Sequence, residues 1–247
     1  MAGTAVRGRL TWQTATVSSV ADETARVRTI TLSVPDWAGH RAGQHLDVRL
    51  TADDGYVAER SYSIASAPGE PLAITVERLD DGEVSPYLTE DLRPDDEIEI
   101  RGPIGGYFVW DPPGQAPLLL LAGGSGVVPL RAILRHRSRT GSSVPARLLY
   151  SARSLGEVIY QAELAQPADG VEVIYTLTRE QPPGWSGYAR RVDQPMVAEV
   201  AWPVARAPVA YACGPTNFVE AVAADLVALG YQPVKVKTER FGATGGG

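Results

Sequence analysis

Apolar residues recur at every second position in several stretches of the first half of the chain. Ile30, Leu32 and Val34 alternate with Thr31 and Ser33, and Leu46, Val48 and Leu50 with Asp47 and Arg49. Leu72, Ile74 and Val76 flank Ala73 and Thr75, and Ile98 and Ile100 repeat the pattern among acidic neighbours. Period-two runs separated by Gly, Pro and Asp turns predict an antiparallel sheet with one buried face, closed as a barrel or packed as a sandwich. One short helix is expected near Val84–Leu92, with Ser85 as N-cap and Pro86 at the first helical position. The pattern changes after the linker Asp111-Pro112-Pro113-Gly114. Pro117–Ala122 is almost continuously apolar, as in a strand covered on both faces. Helix is predicted at Val127–Arg137, near Tyr160–Ala165 and at Asn217–Leu229. Strands are predicted at Arg147–Tyr150, Val171–Leu177, Val209–Cys213 and Val234–Lys237. Strand and helix in alternation predict a parallel, doubly wound α/β sheet. Two domains are expected, residues 1–113 and 114–247.

Composition narrows the functional classes. Among 247 residues, 44% are hydrophobic and 21% charged, an ordinary globular mixture. The formal net charge is −6, which argues against nucleic acid as a partner, because phosphate binding needs a basic footprint. A single cysteine excludes an intrachain disulfide framework and an all-cysteine iron–sulfur site. His40, His45 and His136 are scattered without metal-ligand spacing, so no metal site is expected. The first residues lack the apolar core of a signal peptide, and PLLLLAGGSGVVPL is far shorter than a bilayer span. The reading is a cytoplasmic protein without membrane insertion.

Four segments carry candidate chemistry. Arg60-Ser61-Tyr62-Ser63 reads either as an exposed arginine with an aromatic strand residue or as a flavin platform, with phosphate neutralised by Arg60. Gly82-Glu83-Val84-Ser85 offers a backbone approach to an anion followed by a helix start. Gly102-Pro103-Ile104-Gly105-Gly106 ends the last long barrel strand. Ala122-Gly123-Gly124-Ser125-Gly126-Val127-Val128-Pro129 lies between the first buried strand and its helix, where a glycine turn admits a pyrophosphate. It reads G-x-G-x-x-P, which departs from the ordinary dinucleotide fingerprint.

These motifs, with the YSAR and TRE strand ends, YACGP and the TERFG tail, occur in the order found in one family. From about Trp12 to Gly242 the chain resembles the ferredoxin–NADP reductases, in which an FAD- or FMN-binding antiparallel barrel precedes a nicotinamide-nucleotide domain. The resemblance implies that Arg60 holds the flavin phosphates, Tyr62 packs on the flavin and Ser63 bonds near N5. Ser61 and Val76 join them as flavin contacts, and Gly82, Val84 and Ser85 bind the FAD pyrophosphate. Gly124, Gly126 and Pro129 line the path of the dinucleotide pyrophosphate. Cys213, followed by Gly214 and Pro215, sits beside the nicotinamide C4 as a shaping contact, not a nucleophile. Glu239 points at the nicotinamide pocket, and Phe241 covers the flavin face. Plant-type members end in a tyrosine there, whereas six residues follow Phe241 here.

The nucleotide is expected to be NADPH before NADH. No carboxylate occurs at the end of the second parallel strand, Tyr150-Ser151-Ala152-Arg153-Ser154, where an NAD site places one. Ser151 and Arg153 stand there instead, with Arg179 ending the next strand and Arg190 or Arg191 soon after. Arginine suits a 2′-phosphate. Arg131, Arg135 and Arg139, spaced by four on one helix, read as a landing strip for an acidic ferredoxin or as a solvated face. The function implied is an NAD(P)H-dependent FAD reductase, with Ser63, Cys213 and Glu239 at the reacting centre, passing electrons to ferredoxin or another redox protein. A diaphorase serving small acceptors and an electron-transfer subunit of a larger complex are the alternatives. Oligomeric state is left open.

Overall fold

Strands with one apolar face are stable only when those faces meet, and a flat sheet would also leave its edges unpaired. The computed structural model describes residues 10–112 and 114–241; Pro113 of the linker, Gly242 of the tail motif and Gly245–Gly247 lie outside them. Six antiparallel strands, β1 (Gln13–Thr24), β2 (Val27–Ser33), β3 (His45–Thr51), β4 (Val57–Ser63), β5 (Leu72–Glu77) and β6 (Glu97–Ile104), are ordered β4-β3-β6-β1-β2-β5. A bridge between Ile64 and Ile74 joins the two edges and closes a barrel. Its core holds Ile30, Leu46, Val48, Ile74, Val76 and Ile100, all wholly buried.

Two elements depart from the sequence expectation. β1 was not visible as an alternating run, because register shifts at Val17/Ser19 and Asp22/Thr24 interrupt its pairing with β2 and break the period of two. The expected helix near Val84–Leu92 is present from Ser85 to Asp91, but most of it, Tyr87–Asp91, is wound as a wide turn, and no side chain caps it. The Ser85 hydroxyl instead accepts the Leu79 N–H at 3.0 Å, pinning the loop that precedes the turn.

The second sheet is parallel: β7 (Leu118–Gly123), β8 (Ala146–Ala152), β9 (Val171–Leu177), β10 (Val209–Pro215) and β11 (Val236–Phe241), ordered β11-β10-β7-β8-β9. Helices α1 (Val127–Arg139), α2 (Gln161–Leu164), α3 (Gln194–Val200) and α4 (Thr216–Ala228) cover it. The apolar run of β7 divides between two cores. Leu118 and Leu120 pack with α1 residues, while Leu119 and Leu121 pack with α3 and α4. Each buried leucine contributes about 2 kcal/mol. α3 escaped the pattern reading, although Asp193 accepts the Met196 N–H at 2.9 Å as a side-chain N-cap. Among the described residues no helix is long and apolar enough to cross a membrane.

The barrel and the parallel sheet share one core cluster, in which Val27, Ala42, Ala65 and Phe108 join residues of α1 and β7. Polar contacts cross the same joint. Tyr160 donates to Thr75 Oγ1 at 2.5 Å, and Arg135 Nη2 meets Glu70 at 2.8 Å. Here the arginine strip is corrected. Arg131 pairs with Glu163, and Arg135 and Arg139 reach Glu70 of the barrel. The row clasps the two sheets together; it is not a free basic face.

Candidate functional site

In an open parallel sheet, ligands bind beyond the carboxyl ends of the strands where strand order reverses. Here that point lies between β7 and β10, since β8 and β9 extend the sheet one way and β11 the other. The barrel strand β4 faces it, and the two enclose a cleft of about 1560 Å³. A pocket for one drug-sized ligand takes roughly 300–1,000 Å³, so this cleft has room for more than one.

Ser63 ends β4 and is 5% exposed. Its Oγ has no hydrogen-bond partner among the described residues, and neither does the buried Oε2 of Glu239. Leaving a buried polar group unpaired costs about 1–3 kcal/mol, so two such atoms on one cleft floor point to a polar ligand. His45, opposite Ser63 in the β3–β4 register, sets its Nδ1 3.6 Å from Glu239 Oε1. Cys213 pairs with Glu239 in the β10–β11 register. It is wholly buried, and burial, reinforced by the Glu239 charge, pushes its thiol well above the ordinary range despite the Gly214 N–H. A thiol held this way is no nucleophile.

On the barrel rim, Tyr62 borders the cleft with its phenol pushed up by burial, against the Arg60 charge. Arg60 also borders the cleft and is ion-paired to Glu83. The Tyr56 hydroxyl and Arg60 together hold the Glu83 carboxyl below its usual value. Gly82, Val84 and Ser85 line the wall beside this pair. Ser61 lies at the same edge, but its hydroxyl donates to Asp47 at 2.6 Å, within a network that includes Arg101. Val76 is corrected. Its side chain is wholly buried in the barrel core, and Thr75 and Glu77 on either side line the cleft instead.

On the nucleotide side, Gly124 lines the cleft at φ +54° with nothing near its missing side chain. Left-handed backbone of this kind costs other residues about 1–2 kcal/mol. Gly126 and Pro129 are buried behind the cleft wall. A Cβ on Gly126 would lie 2.0 Å from the Cys213 carbonyl oxygen, so this glycine lets the start of α1 press onto β10 and supports the floor from below. Pro129 is buried in the first turn of α1. Gly214 packs on the Gly123 backbone, while Pro215 and Phe241, register partners at the ends of β10 and β11, both line the cleft.

The arginines separate clearly. Ser151 and Arg153 line the cleft at the end of β8. Arg153 is 56% exposed, with Glu157 at 3.8 Å. Arg179 does not line it; its backbone N–H donates to the Arg153 carbonyl at 2.9 Å. Arg190 is tied to Asp193 at 2.7 Å. Arg191 lines the cleft and has no carboxylate partner among the described residues. His45 is the site residue that sequence reasoning missed. No motif marks it, because strand register alone brings it to Ser63.

A cleft of this size, a glycine turn at its strand ends and two orphaned polar atoms on its floor fit a flavin beside a nicotinamide dinucleotide. Comparison with known proteins agrees. Residues 14–109 match the family model described as an oxidoreductase FAD-binding domain, and residues 120–224 that of an oxidoreductase NAD-binding domain. A glycine betaine monooxygenase reductase subunit from Chromohalobacter salexigens is 33% identical over 211 residues, covering 83% of this chain and 56% of that protein. Ferredoxin–NADP reductase B from Sorangium cellulosum is 40% identical over 151 residues, 59% of this chain and 60% of the relative. The chain thus spans little more than half the length of these relatives. Among solved structures, the FAD/NAD-binding domain of a Vibrio cholerae nitric oxide dioxygenase superposes with a TM-score of 0.83 at 26% identity, covering 93% of this chain and 98% of that one.

Proposed function

Because the chain belongs to the ferredoxin–NADP reductase family of FAD- and NAD-binding oxidoreductases, we propose that it is an NAD(P)H-dependent flavoprotein reductase that serves a one-electron redox partner. FAD, when bound, supplies the redox chemistry, taking hydride and returning electrons singly. The chain's own residues hold and orient. Arg60 and the Gly82–Ser85 wall take the FAD pyrophosphate, and Tyr62 offers an aromatic face. Ser63 would offer its unpaired hydroxyl to the flavin ring and Glu239 its unpaired oxygen to the nicotinamide, while the buried Cys213 would shape the floor and Phe241 would pack against the bound rings. This positioning converts an encounter of two cofactors into an oriented pair.

The observation that carries this reading is the pair of unpartnered buried atoms, Ser63 Oγ and Glu239 Oε2, on one floor. NADPH is favoured over NADH because Arg153 and Arg191 line the nucleotide side, and the one carboxylate soon after β8, Glu157, is paired with Arg153. FAD-binding and nucleotide-binding units at 1–113 and 114–247, and a cytoplasmic setting where NADPH is supplied, go with it. The names of the two relatives favour a protein acceptor, whether ferredoxin or an oxygenase component, and a place as one subunit of a larger system.

Purified protein should carry about one flavin per chain, released by heat and identified by chromatography as FAD, and should reduce ferricyanide with NADPH faster than with NADH. Recovery of FMN alone would remove the FAD assignment. A colourless protein that does not turn over with FAD added would remove the function.

A further inference from the structure

Arginine gives the nucleotide side of the cleft its positive charge, yet a carboxylate of the barrel shares the end where Arg153 stands. β5 sends Ile74 and Val76 into the barrel core, so Thr75 and Glu77, on its other face, look outward and line the cleft. Thr75 accepts the Tyr160 hydroxyl at 2.5 Å, which ties this face of β5 to the segment that follows β8. Gly156, Glu157 and Ile159 of that segment also line the cleft. The Ile159 N–H donates to the Tyr150 hydroxyl at 3.1 Å. Burial pushes the Tyr150 phenol up, and the Glu77 charge adds to that push. Glu77, about 7 Å beyond Thr75 along its strand, thus stands within electrostatic reach of the end of β8.

Glu77 is half-buried, and its carboxylate has no cationic partner among the described residues. The arginines nearest to it on the barrel, Arg26 and Arg78, both turn to Asp80, at 2.9 and 3.1 Å. Its charge therefore enters the cleft uncompensated. A carboxylate accepts a hydrogen bond from a ribose hydroxyl and repels a phosphate, which is why NAD sites place one at the end of the second parallel strand. Here β8 ends without one, and Glu157, the next in the chain, faces Arg153 at 3.8 Å. The opposing domain brings a free carboxylate to the same end instead. Specificity is a difference of affinities, set by repulsion as much as by attraction.

We propose that Glu77 is a specificity-determining residue for the nucleotide: its carboxylate accepts a hydroxyl of the adenosine ribose and opposes the 2′-phosphate. The preference for NADPH set by Arg153 and Arg191 is thereby narrowed, and NADH remains a usable donor. This rests on the reductase reading and adds a determinant that the flavin-binding barrel, not the nucleotide domain, supplies.

The test uses the FAD-loaded full chain with ferricyanide as acceptor, and NADPH and NADH in parallel. Glu77→Gln keeps the shape and removes the charge. Its kcat/KM should rise about threefold for NADPH and fall about twofold for NADH, both through KM, so that the NADPH-to-NADH ratio grows at least about fivefold. Added salt should shrink the gain with NADPH. Glu77→Lys should move the ratio further in the same direction. A second measurement needs no turnover: titration calorimetry with ADP-ribose and with its 2′-phosphate, where Glu77→Gln should tighten only the phosphorylated compound. A ratio within twofold of the parent's in both variants would overturn the assignment. So would an equal change with both nucleotides, which would put Glu77 at the pyrophosphate. A parent that turns over with neither nucleotide would instead condemn the reductase reading. The titration would still decide Glu77, since an unchanged affinity for the 2′-phosphate compound in Glu77→Gln overturns its role.

Discussion

On the floor of the cleft Ser63 is buried and Glu239 half-buried, and one atom of each, Ser63 Oγ and Glu239 Oε2, has no hydrogen-bond partner among the described residues. Arg60 and Arg153, on its rims, are solvent-accessible and already paired with Glu83 and Glu157. The contrast separates two ways of preparing a binding site. An unpartnered buried group has lost its water and regains a partner only from a ligand, so its contribution is large and local. An exposed ion pair loses little when a ligand replaces one partner, and salt screens what remains. Substitutions at the floor should therefore change structure and chemistry, and those at the rims should change affinity in smaller steps.

The largest effect belongs beneath the floor. Gly126→Ala puts a carbon against the Cys213 carbonyl at 2.0 Å, and overpacking against backbone costs about 3 kcal/mol or more. Soluble yield and melting temperature should fall sharply. Gly124→Ala, with open space around it, should cost only the backbone strain of about 1–2 kcal/mol. Equal melting temperatures for the two variants would break the distinction between support and lining.

Arg60→Ala comes next. A charge-assisted phosphate contact is worth roughly 1.5–3 kcal/mol, a tenfold to hundredfold loss of FAD affinity. Glu83→Gln should show no such loss, because Glu83 holds the arginine and offers nothing to a phosphate. Apoprotein titrations with FAD read both. Equal weakening in the two variants would make the Arg60–Glu83 pair a structural unit of the barrel.

On the opposite rim, Arg153→Ala and Arg191→Ala should each lower kcat/KM for NADPH about three- to tenfold and leave NADH nearly untouched, a loss reduced by solvent at so exposed a site. The double variant should lose more than either. An equal fall with both nucleotides would place the arginines at the pyrophosphate.

The smallest effect concerns the clasp between the sheets. Burial works to raise the Glu70 pKa, but the Ala67 N–H and Arg135 outweigh it and hold the carboxyl below its ordinary value of 4.5. Its stabilising contribution is complete above the unfolded pKa and is lost as pH falls through the lower folded one. Melting temperature should drop more steeply with acid in the parent than in Glu70→Gln, over roughly pH 5 to 3. Parallel curves would show that the clasp adds nothing.

Much of this was legible in the sequence, for physical reasons that also mark the gaps. β7 could be read because burial on both faces leaves a leucine run with no polar interruption. β1 could not, because its register shifts erase the alternation. Ser63 and Glu239 came from ordered motifs, and the structure brings them to one floor. The contact of Gly126 with the Cys213 carbonyl was not legible, because a strand–glycine–helix turn has the same composition whether its glycine admits a ligand or a neighbouring backbone. The spacing of Arg131, Arg135 and Arg139 revealed a helix face but not what it faces; Glu70 and Glu163 arrive from other elements. His45 was invisible for the same reason, since strand register carries it to Ser63.

The central claim is that the buried floor aligns nicotinamide with flavin. Anaerobic stopped-flow reduction of FAD-loaded protein by saturating NADPH tests it most directly, comparing the parent with Ser63→Ala and Glu239→Ala. Only contacts strengthened in the transition state alter this step. The account predicts that both variants keep their FAD and that the visible flavin absorbance bleaches at least about tenfold more slowly than in the parent, a loss of about 1.4 kcal/mol. Bleaching at the parental rate in both variants would contradict it.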